Sequence, residues 1–149
     1  MTNSIQFSRS VRKWMNTFVH RSMRDSARFV KTSEISMPQF FMLMHLQQRE
    51  HCGISDLSEH MDTSTAAVSQ LVDKLVQADL LLRSEDPNDR RAKKVELSPK
   101  GKTLIEKGIE ERYRWVNEVS NALSDEEAKK VAEAFEILGS AMKRIESGK

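Results

Sequence analysis

Apolar residues along most of the chain recur at intervals of three and four, the period of an α-helix buried on one side. A stripe from Val11 to Val19 predicts a first helix over about residues 7–30. A nearly uninterrupted apolar stretch, Phe40–Leu46, predicts a buried second helix. The pair Ser36 and Gln39 has capping-box spacing, so we expect that second helix to begin at Ser36.

The middle of the chain changes from one period to another. A short helix is predicted over about residues 54–61 and, after a turn at Asp62–Thr63, a longer helix over about 64–78. Leu80–Glu85 is short and begins with three leucines, and Lys93–Leu97 alternates apolar with charged residues, with a cluster of turn-forming residues between the two segments. We interpret them as paired strands. This segment therefore predicts a helix-turn-helix followed by a two-stranded hairpin.

Two long amphipathic helices are predicted at the carboxyl end. Ser98 and Pro99 match the preferences of an N-cap and a first helical position, and Ser124 opens a second capping box. The last stripe, Val131 to Ile145, is close to a heptad repeat over about two heptads. The fold class predicted is mainly α with a small β-hairpin, a helix-turn-helix lobe lying between helical ends.

Charge adds a functional indication to this order of elements. The chain has a net charge of +2, which does not by itself indicate a nucleic-acid partner. Residues 83–102 hold seven basic and four acidic side chains, so the net charge of this segment, +3, exceeds that of the whole chain. A basic hairpin alone is usually a solvated face, but one that follows a helix-turn-helix favours contact with DNA phosphates.

The start of the fourth predicted helix suits a DNA groove. Ser64, Thr65, Ala66 and Ala67 are small, which allows close approach to a duplex, and hydroxyls donate to phosphates or base edges.

The two rival classes are an enzyme and a helical interaction module that does not bind DNA. No phosphate-binding loop or nucleophile motif supports an enzyme, and an interaction module does not explain the basic hairpin.

Composition bounds the location of the protein. Cys52 is the single cysteine, so no intramolecular disulfide forms, and this fits a cytoplasmic protein. The first residues have no signal-peptide pattern, and no apolar run approaches about 20 residues, so we expect no membrane partner. We also expect no cofactor.

At this point the sequence resembles the multiple-antibiotic-resistance regulator (MarR) family of winged helix-turn-helix transcription regulators. The resemblance is carried by the following stretches: Ser36–Phe40, Leu57–Met61, Val68–Leu75, Asp86–Arg91 and Val95–Gly101. The family implies a homodimer that acts as a repressor on a pseudo-palindromic operator in double-stranded DNA. Residues 1–35 and 99–149 would form the dimerisation region, and residues 36–98 the DNA-binding lobe.

The resemblance also implies which residues contact DNA. The recognition-helix residues that would face the duplex are Ser64, Thr65, Ala66, Ser69 and Gln70, with Lys74 meeting a phosphate. On the hairpin, or wing, the residues implied are Asp89 as a brace and Arg90, Arg91 and Lys93 as DNA contacts. Asp62 and Asp79 occupy positions where the family often has glycine, and Asp is a tolerated substitute in a left-handed backbone conformation.

Family members often respond to small aromatic acids, oxidants or metals. A pocket for a small aromatic or apolar effector would be walled by Trp14, Phe18, Arg21, Phe40 and Met44. The alternative is that these side chains are simply core. Cys52 beside His51 is a second alternative, a redox-responsive regulator of the same fold. The four histidines and Cys52 lack close ligand spacing, so we expect no metal site.

Overall fold

A computed structural model describes residues 2–49, 51–85 and 93–148 of the chain. The element order is α1 (Thr2–Thr32), α2 (Met37–Gln47), β1 (Cys52–Gly53), α3 (Ile54–His60), α4 (Thr65–Gln77), β2 (Leu81–Glu85), β3 (Lys93–Leu97), α5 (Pro99–Asn121) and α6 (Asp125–Ser147). The predicted fold class is confirmed, and α1 is longer than predicted at both ends. The chain divides into two compact units, residues 1–112 and 113–149, with the boundary inside α5.

Helices α2 and α6 begin where the sequence predicts, and hydrogen bonds of local side chains cap their first turns. The Ser36 hydroxyl accepts from the Gln39 amide at 3.3 Å, and the Gln39 side chain accepts from the Ser36 amide at 2.7 Å. The same reciprocal pair joins Ser124 and Glu127, at 3.3 and 2.9 Å. Both capping boxes satisfy amides that have no partner inside the helix.

The small sheet has three strands rather than the two predicted. β3 lies in the centre, antiparallel to β2 on one side and to β1 on the other. β1 pairs Cys52 with Val95, and β2 pairs Leu81 with Leu97. The prediction missed β1 because two residues are too few to show an alternating pattern, and what holds them is a partner more than forty residues away.

The core of the first unit lies between α2, α4 and the sheet, with Phe29 of α1 packed against it. Phe40 is fully buried, and its ring lies 5.7 Å from that of Phe29. A Cβ added to Gly108 of α5 would lie 2.6 Å from both rings. Gly108 therefore lets α5 approach these aromatic side chains more closely than a larger residue would allow.

Among the described residues, three that are not glycine have a left-handed backbone. Asp62 precedes α4 with a φ of 48° and Asp79 follows it with a φ of 59°, so the prediction for both positions is confirmed. Glu34, between α1 and α2, has a φ of 56° and was not predicted. Asp is among the residues that tolerate this conformation, whereas Glu has no such local advantage.

The second unit contains the end of α5 and all of α6. No described residue of α6 is buried, and its apolar stripe, which includes Val131, Phe135 and Met142, is exposed. Within residues 2–49, 51–85 and 93–148, no helix is long and apolar enough to cross a membrane.

Candidate nucleic-acid interface

The recognition helix α4 presents one polar face. Ser64 is its N-cap and accepts from the Ala67 amide at 3.2 Å, which fixes the first turn. Ser64, Thr65, Ala66, Gln70 and Lys74 are exposed and Ser69 is half-buried, while Val68, Val72 and Leu75 fill the core. At 100° per residue, Ala66, Gln70 and Lys74 lie on the side opposite the core and Ser69 lies at its edge, whereas Ser64 and Thr65 extend the exposed surface around the amino end of the helix. A surface of small and hydrogen-bonding groups results.

An acidic residue lies on this same face. Asp73 accepts from the Arg83 guanidinium of β2 at 2.7 Å, and the Asp73 side chain is 53% exposed. Paired in this way, the carboxylate presents less negative charge to an approaching phosphate. The pair also links the recognition helix to the hairpin. From the sequence, Arg83 is only one of the basic hairpin residues, and no local pattern indicates its partner ten positions earlier.

A joint of hydrogen bonds fastens the end of α4 to the start of α5. The Ser98 hydroxyl donates to the Asp79 carbonyl at 2.6 Å and accepts from the Gly101 amide at 2.9 Å. The Ser98 amide donates to the Leu80 carbonyl at 3.1 Å, and the Lys100 ammonium to the Ala78 carbonyl at 2.8 Å. The Ser98–Gly101 stretch noted in the sequence therefore has a structural role, because it anchors the left-handed turn at Asp79.

The wing begins with β2 and returns with β3. The register places Lys93 opposite Glu85 and Lys94 opposite Ser84, so the last described pairs carry polar and charged residues. Asp89, Arg90 and Arg91 lie outside the described residues, as does the side chain of Lys93. Their predicted roles stay predictions.

The proposed effector-wall residues lie in different settings. Trp14 and Phe18 of α1 stack on each other, with ring centroids 5.4 Å apart, and Arg21 is exposed one turn later. Phe40 is fully buried against Phe29, so it is a core residue rather than an accessible wall. Met44 is half-buried, and its sulfur accepts from an Arg112 guanidinium nitrogen at 3.3 Å.

A groove of about 560 Å³ between α2 and α3 was not predicted. Among its lining residues are Phe41, Met44, His45 and His60. The two imidazoles stack with centroids 3.6 Å apart, and the Nε2 of His45 is buried and has no hydrogen-bond partner among the described residues. Burial lowers the pKa of His45, and the neighbouring His60 and Arg49 lower it further. The two histidines are fifteen residues apart, and no local pattern indicates their contact.

Cys52 lies in β1 and is 2% exposed. Burial raises the pKa of the Cys52 thiol, and the Asp56 carboxylate raises it further, so the reactive thiolate is disfavoured. Within the part of the chain that the structure describes, no group of three or more His, Cys, Asp or Glu side chains is placed to hold a metal ion.

Comparison with known proteins gives concordant matches. Residues 35–93 match the MarR family. The chain is 27% identical over 117 residues to YsmB of Bacillus subtilis, an uncharacterized HTH-type transcriptional regulator, covering 73% of this chain and 80% of that protein. The crystal structure of the transcriptional regulator Tm0710 from Thermotoga maritima superposes with a TM-score of 0.81 at 25% identity, over 95% of this chain and 97% of that one.

A further solved structure shares the fold and contains nucleic acid. It is a mutant of MepR from S. aureus bound to an oligodeoxyribonucleotide, with a TM-score of 0.66 at 20% identity, covering 89% of this chain and 97% of that one.

Proposed function

We propose, on the premise that this chain is a member of the MarR family of DNA-binding transcription regulators, that it represses transcription as a homodimer on a pseudo-palindromic operator. The observation that carries the proposal is the exposed polar face of α4, held by the Ser98 joint and followed directly by the hairpin. The oligodeoxyribonucleotide bound to the structurally similar MepR mutant supports it.

The first turns of α4 enter the major groove in this proposal. The residues that meet base edges or phosphates are Ser64, Thr65, Ala66, Ser69 and Gln70, since their side chains are short or hydrogen-bonding and lie at the N-cap or in the first half of α4. Lys74 lies further along α4 and meets a phosphate. The wing places Arg90, Arg91 and Lys93 beside the flanking minor groove, with Asp89 as their brace.

The helical ends form the dimer interface. Seventeen large hydrophobic residues are exposed among the described side chains, and most of them lie on α1, α5 and α6. Apolar stripes of this extent are characteristic of surfaces that a partner covers. Residues 1–35 and 99–149 are therefore assigned to dimerisation, and residues 36–98 to the DNA-binding lobe.

A small aromatic or apolar effector releases the protein from DNA in this proposal. Met44 borders a groove of suitable size, which supports a binding site beside α2. The alternative of redox control through Cys52 is disfavoured, because the thiol is buried and its pKa is raised. An interaction module that does not bind DNA is disfavoured by the family match.

The test begins with fluorescence anisotropy on a duplex selected from a random pool by the full-length protein. Gln70→Ala is expected to weaken binding by about 1–3 kcal/mol because Gln70 is exposed on the side of α4 opposite the core, within its first two turns. Gln77→Ala is the matched control: it removes the same side chain from the last residue of α4, where the helix leaves the groove. Equal losses for the two variants contradict the assigned docking of α4.

A second variant tests the wing. Arg91→Ala is expected to weaken operator binding by about 1–3 kcal/mol without changing the dimer, which sedimentation verifies. An unchanged affinity rejects Arg91 as a DNA contact. Failure of the wild-type dimer to bind any duplex at low salt rejects the proposed function as a whole.

A further inference from the structure

Helix α1 carries the largest excess of one charge among the helices. It contains seven basic residues and a single acidic one, Asp25, and therefore nets +6, whereas the whole chain nets +2. The remainder of the chain consequently nets −4. An even distribution would place about four or five of the 22 acidic residues in a helix of this length. Ordinary surfaces intersperse both signs, so α1 departs from a merely solvated face.

Five of these cations lie along one side of the helix, which we call the α1 stripe: Arg9, Lys13, Arg24, Arg28 and Lys31. At 100° per residue they fall within about a third of the circumference, roughly opposite the buried Ser22, Ser26, Phe29 and Val30. All five side chains are exposed. The one acidic residue of α1, Asp25, lies outside the stripe, although it accepts from Arg24 at 3.3 Å.

We propose that the α1 stripe binds the phosphate backbone of duplex DNA without reading its sequence, as a contact additional to α4 and the wing. This inference rests on the proposed function, which brings the protein to DNA. From Arg9 to Lys31 the stripe extends about 33 Å at 1.5 Å per residue, close to one helical turn of a duplex. Successive cations one helical turn apart, such as Arg24 and Arg28, are separated by about 6 Å along the helix axis.

An anionic membrane is the competing polyanion, and the packing of α1 favours DNA. A helix that binds a membrane surface buries its apolar face in the lipid. The apolar side of α1 is occupied otherwise, because Phe29 and Val30 are buried in the core and the exposed apolar residues nearer the amino end are those that the proposed dimer interface covers. Between the stripe cations lie Ser10, Thr17 and Ala27, which offer no large apolar group for insertion. The α1 stripe therefore suits the phosphates of duplex DNA, which it can contact without inserting apolar side chains.

The experiment compares two variants of equal net charge in the full-length protein. The stripe variant is R9Q/K13Q/R28Q/K31Q, which leaves the Arg24–Asp25 pair intact. The control variant is K107Q/K129Q/K143Q/R144Q, which removes four exposed cations from α5 and α6. Circular dichroism and sedimentation establish that both variants keep their helix content and association state.

Binding to a mixed-sequence duplex of about 60 base pairs is then measured between about 50 and 200 mM salt. Each phosphate contact contributes about 0.9 to the slope of log affinity against log salt, so the stripe variant is expected to lose about 3 from that slope and at least about tenfold in affinity. The control variant is expected to lose less than about 1. The partial variant R28Q/K31Q should lose about half as much as the full stripe variant.

Equal slopes for the stripe and control variants overturn the inference. Loss of binding to phosphatidylserine vesicles by the stripe variant, with an unchanged slope on DNA, overturns it in favour of a membrane partner. A wild-type protein that binds no duplex contradicts the proposed function itself, whereas wild-type binding with equal variant slopes contradicts only the α1 stripe.

Discussion

Replacing Gly101 with alanine tests the joint that holds the recognition helix. A Cβ at Gly101 would lie 2.0 Å from the Leu80 carbonyl oxygen and 3.0 Å from its carbon. Ordinary contact begins at about 3.4 Å, so α5 and the Asp79–Leu80 turn must separate by more than 1 Å. The obstacle is backbone and not the end of a flexible side chain, so it cannot rotate away.

The cost follows from the bonds that cross this joint. Overpacking costs about 1–3 kcal/mol, and separation weakens the bonds of Ser98 to Leu80 and Asp79, each contributing about 1 kcal/mol. Alanine gains up to about 1 kcal/mol over glycine in a helix, which offsets part of this cost. Gly101→Ala is therefore expected to lower the free energy of unfolding by about 2–3 kcal/mol.

Urea unfolding at one fixed protein concentration measures this change, since association makes apparent stability depend on concentration. Gly139→Ala is the control, because nothing lies within 4 Å of a Cβ at this position in α6. That variant should gain about 0.5–1 kcal/mol. If Gly101→Ala unfolds at the wild-type midpoint or above it, as the control should, the joint does not constrain α5 as described.

Three further predictions concern the neighbouring contacts. The pKa of His45 is lower in the folded chain than in the unfolded one, so lowering the pH from about 7 to 5 should reduce the free energy of unfolding. The reduction should be smaller in His45→Gln. Parallel plots of unfolding free energy against pH for the two proteins would contradict this. Arg83→Gln should weaken operator binding by about 1 kcal/mol, and adding Asp73→Asn should restore most of the lost affinity. If fluorescence anisotropy shows no restoration in the double variant, the pair does not shield the Asp73 charge from DNA. Met142→Glu should shift the equilibrium from dimer to monomer, as measured by sedimentation. A variant that is still a dimer at micromolar concentration would show that Met142 lies outside the dimer interface.

The parts of the fold predicted correctly are those whose causes are local. The capping boxes at Ser36 and Ser124 depend on residues three apart, and the left-handed turns at Asp62 and Asp79 depend on a single backbone position. Strand β3 was also predicted, because its alternation reflects the burial of Val95 and Leu97 on one face of the sheet and the exposure of Glu96 on the other. Such signals are visible in the sequence without knowledge of the rest of the chain.

The features that were missed depend on contacts between distant segments. β1 exists because β3 pairs with it, and the contact of His45 with His60 exists because α2 lies beside α3. Phe40 was assigned to a pocket wall because apolar patterns do not distinguish a core residue from a lining one. Charge summed over the hairpin also concealed the excess of positive charge on α1, which acidic residues elsewhere cancel.

β1 has a mechanical consequence for the proposed regulator. By pairing Cys52 with Val95, it ties the segment before α3 to the return strand of the wing, while Arg83 and Ser98 tie the hairpin and α5 to α4. The helix-turn-helix and the wing root therefore form one body whose internal dimensions are fixed. In the proposed function, each lobe would therefore bind its half-site as a rigid unit. The proposed effector would then change affinity by altering the separation between the two lobes of the dimer, and not by reshaping either lobe.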